Sequence, residues 1–403
     1  MYYGWRIVGS SFVAQLFVIG FFTYAVSLLV EPIRAEFSVS LEQVMYSLTA
    51  ATFLGLFMQP VGGALIDRYS VRTLMGVGAA LYAIGLYAVA NSANLIQYIV
   101  FFALTMAVAN ALVGSLSASA VISRWFTASR GRALGVSAIG TSVGGVVIPA
   151  LISYWLGTVG WRGAMENLAL AVLLIVLPVV LVGIRSRPSD VGLLPEPSPE
   201  GMTPGADQDM NMGDILRTPA FWFVGLSLGL LFSAYTAVLS NLTPYAVNLG
   251  SSKEQASTLI MAVAIFGFVG KLLFGMAADK FSLRAALWMA QGLVAIAFIT
   301  LAQASSHSLM IVGASLLGLA AGGMLPVWGA LMAQVFGLIS YGRAMGLMGP
   351  LITLCVMPSF TVIGRMFDTY ASYTPALYLF TGFCVVAAAL LLPLKLHRAT
   401  TSS

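Results

Sequence analysis

The sequence predicts an all-α membrane protein of twelve transmembrane helices in two pseudo-symmetric six-helix bundles, and three observations lead there. Charged residues make up 8% of the 403-residue chain and AVILMFWYC 59%, where a soluble domain carries about 25% charge. Cutting the chain at its charges and turn residues leaves twelve apolar runs, each near the roughly 20 residues that a hydrocarbon core about 30 Å thick asks of a helix. The two halves also repeat each other. Gly63-Ala-Leu-Ile-Asp-Arg-Tyr-Ser-Val-Arg72 returns 212 residues later as Gly275-Met-Ala-Ala-Asp-Lys-Phe-Ser-Leu-Arg284.

Taken in order, the spans are expected at 7–29, 44–66, 73–91, 95–123, 133–157, 164–184, 219–247, 255–278, 285–305, 308–336, 344–367 and 374–394. Span one follows directly on Arg6 and shows no A-x-A-like cleavage site, so it reads as a membrane helix and not as a removable signal peptide. The one long polar interruption, Arg185 to Thr218, is rich in Pro, Gly and acids. It reads as a cytosolic linker between a bundle at 1–184 and a bundle at 219–403. Alternate sides then differ sharply in basic residues: fourteen Lys and Arg fall on the side of the N-terminus and four, Arg34, Arg162, Lys253 and Arg365, on the other. By the positive-inside rule both termini are cytosolic, and the expected location is the plasma (inner) membrane. A second repeat supports the halves: Arg130-Gly-Arg-Ala-Leu-Gly135 is answered at an offset of 211 by Tyr341-Gly-Arg-Ala-Met-Gly346. Internal duplication of this length in so apolar a chain points to a two-domain membrane transporter.

Several classes fall away. The net charge of +5 follows from topology, and no basic stripe with interleaved aromatics suggests nucleic acid. Cys355 and Cys384 both lie in apolar runs, which leaves no disulfide framework or Cys-rich metal site. With His307 and His397 at segment ends and no H-E-x-x-H, P-loop or Ser-His-Asp pattern, neither an enzyme nor a cofactor or metal is expected.

The motif loops resemble those of the major facilitator superfamily, whose signature between spans two and three is a Gly-x-x-x-Asp-Arg/Lys-x-Gly-Arg-Arg-like loop with a weaker copy between spans eight and nine. Gly63, Asp67, Arg68 and Arg72 match it, as do Gly275, Asp279, Lys280 and Arg284; the second glycine is replaced by Ser70 and Ser282. Within the superfamily, Tyr3-Gly-Trp-Arg-Ile-Val8, Gly160-Trp-Arg-Gly-Ala164 and Arg187-Pro-Ser-Asp-Val-Gly-Leu-Leu-Pro195 look like the monocarboxylate and oxalate:formate transporters. The resemblance implies alternating access by rocking of two six-helix halves about a midplane site, with small organic anions as substrates.

Asp67 stands where span two meets the cytosol. A carboxylate there can accept hydrogen bonds from a helix N-terminus and from Arg130 or Arg132, so Asp67, Arg68, Arg72, Arg130 and Arg132 are read as a gating latch that favours the outward-open state. Asp279, Lys280 and Arg284 would do the same in the second half. The plainer alternative is that these residues only anchor the loops. Gly140, Gly144 and Gly145 are expected to serve close helix packing, since small residues four apart let membrane helices approach; a rocking surface is the alternative.

Lys271 is the charge that topology does not require. It stands eight residues before Asp279, roughly 12 Å above the cytosolic boundary and close to the midplane. A cation there costs about 2.5–3.5 kcal/mol on insertion scales. None of the fourteen acids falls deep within a span, so the expected counter-charge is the substrate. Two other accounts stand beside this one: a lysine snorkelling to the headgroups with a reach of about 6 Å, and a neutral lysine bonded to hydroxyls. The resemblance adds that the carboxylate subgroup commonly carries arginine at this place. A lysine binds as a point charge and lacks the bidentate clamp. Tyr24, Asn110, Tyr235, Asn241 and Trp328 are candidates for the rest of a binding site, each with an ordinary packing role as the alternative. Gln59 is the residue that the repeat sets in register with Lys271.

The function expected from these residues is secondary transport of a small organic anion, a monocarboxylate or short dicarboxylate, by alternating access. Protons or a counter-transported anion are the coupling partners, the surroundings are membrane lipids, and the working form is a monomer. The rivals are a carrier of a neutral or cationic molecule, as in drug or metabolite efflux, and a transporter-like receptor.

Overall fold

The computed structural model describes residues 2–126, 130–193, 210–280, 282–336 and 340–393. All regular structure among these residues is helical, as the bilayer demands when no water is present to satisfy backbone N–H and C=O groups. Among the described residues ten helical segments are long and apolar enough to cross a membrane; one of them, the 52-residue stretch Arg132–Gly183, holds spans five and six, and the shorter Thr374–Ala389 completes the twelve. By packing, the chain forms two compact units, Met1–Gly201 with Leu239–Ala264, and Met202–Val238 with Ile265–Ser403.

In the first unit, span one is irregular. An α-helix over Gly4–Ile19 gives way to a π segment at Gly20–Ala25 and a 3-10 segment at Val26–Leu29, and α-helix resumes over Val30–Phe37 until Ser38 turns left-handed at φ 51°. Span two, Leu41–Arg68, opens on a capping box in which Ser40 Oγ accepts from the Gln43 N–H and Gln43 Oε1 accepts from the Ser40 N–H, satisfying two otherwise orphaned donors. Span three is Val71–Ala90, capped by Ser70. Span four breaks into Leu95–Leu112 and Ser115–Trp125. At the break, a Cβ on Gly114 would sit 2.5 Å from the Asn110 carbonyl oxygen, so only glycine lets the chain turn there.

Spans five and six meet more tightly than the loop expected between 157 and 164: within Arg130–Ala171 two helices adjoin at Gly160, whose backbone is non-helical (φ 71°, ψ −177°), and the second continues by a π segment at Val172–Val176 into Leu177–Gly183. The glycines of span five pack as expected. A Cβ on Gly140 would meet the Phe12 carbonyl oxygen at 2.3 Å, and one on Gly144 the Leu16 carbonyl oxygen at the same distance. Spans one and five thus touch backbone to backbone, the contact that substitutes for a hydrophobic drive inside lipid.

The second unit holds most of span seven (Pro219–Ser240), the later part of span eight (Lys253–Lys280), and spans nine (Leu283–Ala302), ten (His307–Phe336), eleven (Tyr341–Tyr370) and twelve (Thr374–Ala389). Part of the expected linker is itself structured. A short helix at Met212–Arg217 starts on a capping box between Asn211 and Asp214. Just before it, the Met210 N–H donates to Ser340 Oγ at 2.8 Å and Arg343 donates to the Met210 carbonyl at 2.9 Å, which ties the linker's end to the start of span eleven.

Candidate functional site

The cation singled out by the sequence lies at a helix crossing in the second unit. Spans eight and ten meet through glycines on both sides: a Cβ on Gly270 would lie 2.1 Å from the Leu319 carbonyl oxygen, and one on Gly322 would lie 2.3 Å from the Gly267 carbonyl oxygen and 2.6 Å from the Lys271 backbone nitrogen. The backbone of Lys271 is therefore clamped against span ten, while its side chain is half-buried. One turn on, the Phe274 ring lies under Gly323, where a Cβ would come within 2.3 Å of it. This arrangement holds the base of the lysine between two backbones.

Trp328 stands six residues beyond Gly322, about 9 Å further along span ten. The edge of Phe232 from span seven packs against its ring with centroids 6.0 Å apart. Its buried Nε1–H has no acceptor among the described residues. A buried donor left unmade costs about 1–3 kcal/mol, which makes this indole a ready partner for an oxygen-rich ligand. Tyr235, on span seven one turn after Phe232, is buried.

The remaining candidates belong to the first unit. Tyr24 lies in the π segment of span one, and its ring faces Gly145, whose Cβ would sit 2.9 Å from it and 2.6 Å from Ala264. A π segment inside a span shifts side chains around the helix and often accompanies function. Asn241 is buried and its amide nitrogen contacts Met45 Sδ and Ser240 Oγ, both at 3.3 Å. Close by in sequence, Thr243 and Ser27 share a buried hydroxyl–hydroxyl bond of 3.0 Å. Asn110 is half-buried in the last turn before the break in span four and donates to its own helix at the Met106 carbonyl, 2.9 Å away. Gln59 is exposed on span two. Tyr24 and Asn241 thus fall in the first unit with Asn110 and Gln59, and Lys271, Tyr235 and Trp328 in the second.

Of the residues read as gates, the side chains of Asp67, Arg130, Asp279 and Lys280 lie outside the described residues, as do the surroundings of the motif glycine Gly275. Arg68 and Arg72 are exposed. Arg132 lies over the Trp5 ring at 5.7 Å, and Arg284 over Trp288 at 5.8 Å. Among the described residues, Arg124 also reaches the end of span two, donating to the Ile66 carbonyl at 2.9 Å, a cation on the negative end of a helix.

On the opposite side, the stretch Gly160-Trp-Arg has a definite task. Arg162 donates to Glu36 Oε1 through Nε at 2.9 Å and Nη2 at 2.7 Å, reaches the Ser92 carbonyl at 2.8 Å and also bonds the Ala90 carbonyl, while Trp161 Nε1 donates to Glu36 Oε2. Burial pushes the Glu36 carboxyl up, but the hydrogen bonds from Trp161 and Arg162 and the charge of Arg162 outweigh it and hold the pKa below the usual range. The left-handed Gly160 turns the two side chains to this clamp. Sequence reasoning noticed the tripeptide only as a resemblance, because Glu36 is 126 residues away from Arg162.

The family model described as the Major Facilitator Superfamily matches residues 11–250 and 234–403. The chain belongs to the major facilitator superfamily. As a member it is an integral, multi-pass membrane protein whose relatives and fold are those of transporters. Among similar proteins, Monocarboxylate transporter 12 of Rattus norvegicus is 22% identical, covering 97% of this chain and 85% of its own. The Agnestins efflux protein AgnL12 of Paecilomyces divaricatus is 25% identical over 81% of this chain and 71% of its own. Among solved structures, a bacterial homolog to the human lysosomal transporter Spinster superimposes with a TM-score of 0.77 at 16% identity, with 96% of each chain covered. The D-xylose-proton symporter gives 0.76 at 18% identity, covering 97% of this chain and 98% of its own. The superfamily fold is thereby shared at low identity, and the substrate differs from relative to relative.

Proposed function

We propose that this superfamily member is a secondary transporter of a small organic anion, a monocarboxylate or short dicarboxylate, with Lys271 as the anion-binding charge. The observations that carry the reading are the crossing of spans eight and ten, where Gly322 clamps the lysine backbone, and, about 9 Å further along span ten, the Trp328 indole, a buried donor with no described acceptor. A carboxylate satisfies both kinds of group, a point charge and a neutral N–H donor. The similarity to Monocarboxylate transporter 12 over nearly the whole chain supports the same substrate class. Alternating access, termini in the cytosol and a plasma-membrane location complete the proposal. Coupling runs either through an exchanged anion or through protonation of Lys271, and no chemical step, cofactor or metal is called for.

The deciding experiment is uptake of radiolabelled carboxylates into proteoliposomes by Lys271→Gln and Lys271→Arg. Lys271→Gln should lose carboxylate transport while inserting normally, and Lys271→Arg should keep part of it. Normal insertion with unchanged affinity and rate in Lys271→Gln removes the proposal. A second reading, efflux of a neutral or cationic metabolite, is favoured by the Agnestins efflux protein and by a 30% identical match to Riboflavin transporter MCH5 of Saccharomyces cerevisiae over 55% of this chain and 44% of its own; competition of uptake by amines but not acids would select it. Saturable binding without flux would instead indicate a receptor. For the latch, Asp67→Asn should slow turnover with little change in substrate affinity, and an unchanged turnover would remove the gating role.

A further inference from the structure

We propose that the groove between spans three and six of the first unit binds one anionic phospholipid, its phosphate at Arg72 and an acyl chain along the apolar floor. The site does not depend on the substrate reading above, although Arg72 is also one of the residues read as a gate. The groove holds about 470 Å³, and its lining sorts by depth. Ser70, Arg72 and Thr73 form the mouth within a single turn at the start of span three, and Gly76, Val77, Ala80, Leu177 and Leu181 form the floor. Along a helix rising 1.5 Å per residue, Gly76 and Ala80 lie about 6 and 12 Å deeper than Arg72. A polar, cationic mouth followed by an apolar channel of that length is the profile of a phospholipid from headgroup to chain.

The groove exists because of its small residues. At Gly76 a Cβ would come within 2.7 Å of Leu181 Cδ2, so any larger residue would drive that leucine into the open channel. Charge complementarity names the class of lipid. Ser186 fixes the mouth by bonding Ser70 Oγ at 2.9 Å and accepting from the Arg72 N–H at 3.4 Å, and it carries Arg185 and Arg187 as its chain neighbours. Among the described residues no carboxylate lines the groove; Asp190, four residues after Ser186, is engaged with the Arg187 N–H at 3.0 Å, and the side chain of Asp67, three residues before Ser70, lies outside the described residues. Basic pockets between membrane helices at a leaflet surface select anionic headgroups, at roughly 1 kcal/mol per Lys or Arg. Span three's first amides are already used by Ser70 and Ser186, so selectivity falls to the Arg72 guanidinium and the Thr73 hydroxyl.

The test reconstitutes the full chain in nanodiscs of phosphatidylcholine with increasing phosphatidylglycerol and counts retained lipids by native mass spectrometry. The wild type should keep one phosphatidylglycerol that phosphatidylcholine does not displace. Arg72→Gln should weaken that retention about fivefold. Ala80→Phe, which fills the floor and leaves the guanidinium in place, should abolish it. Equal retention of the two lipids by the wild type overturns the proposal without reference to any variant, and so does wild-type retention in either variant.

Discussion

Gly322→Ala is expected to destabilise the protein and weaken its substrate binding together, because the added methyl falls on two backbones at once. Its Cβ would lie 2.3 Å from the Gly267 carbonyl oxygen and 2.6 Å from the Lys271 nitrogen, against ordinary contact from 3.4 Å, so spans eight and ten must part by about 1 Å. A gap of that size forfeits roughly a quarter to a half of the dispersion energy of each contact it opens, and overpacking of a close interface costs about 1–3 kcal/mol. Gly292→Ala on span nine is the control. No atom lies within 4 Å of its added Cβ, and replacing a mid-helix glycine by alanine gains about 0.5–1 kcal/mol. The two alanine variants should therefore move thermal stability in opposite directions, read by fluorescence-detected size exclusion after heating. In proteoliposomes, Gly322→Ala should also raise the KM for the transported anion, since the clamp on Lys271 shifts. A Gly322→Ala protein that melts with the wild type and transports with its KM would refute both the packing argument and its link to the cation.

Arg162→Gln removes the charged partner of Glu36 and two carbonyl contacts. With both partners more than a third exposed the loss should be about 1 kcal/mol, at the upper end for surface pairs, measured as a lower melting temperature. Because the Glu36 pKa is depressed by folding, its stabilisation is present above the ordinary glutamate value of 4.5 and fades as pH falls through the folded value. The wild type should lose stability in that acid range and Arg162→Gln should lose less of it; parallel pH profiles would refute the clamp. At the buried Ser27–Thr243 pair, Ser27→Ala leaves the Thr243 hydroxyl without its described partner, at about 1–3 kcal/mol, whereas Thr243→Val leaves the Ser27 hydroxyl its bond to the Tyr24 carbonyl and should cost less. The double variant should cost less than the two added together, and strict additivity in the double-mutant cycle would show that the hydroxyls do not interact.

The architecture was legible in the sequence because its causes are local. Apolar length sets a span, a charge ends it, and Ser40 with Gln43 announces the start of span two by a capping box that needs four consecutive residues. The packing role of Gly140 and Gly144 was readable for the same reason, a four-residue spacing of small side chains. The tight junction between spans five and six was not. Gly160 concentrates the whole change of direction in one left-handed residue, and charged Arg162 beside it reads as loop until its carboxylate partner is known. Arg124 was counted as one more positive charge, since its acceptor is a backbone carbonyl that no side-chain pattern reveals.

The candidate site divides along the same line. That Lys271 is a cation within a span, set opposite Gln59 by the repeat, belongs to the sequence alone, since depth follows from counting residues at a fixed rise. Which face of span eight it occupies, that Gly322 closes on its backbone, and that the Trp328 indole is left without a described acceptor were decided by the tertiary structure. So was the packing of Leu239–Ala264 with the first unit, although those residues follow the linker in the chain. Hydrophobic length and charge act along one dimension and survive any rotation of a helix about its axis. Contacts between helices depend on that rotation, and in lipid it is set by where small residues let two backbones touch.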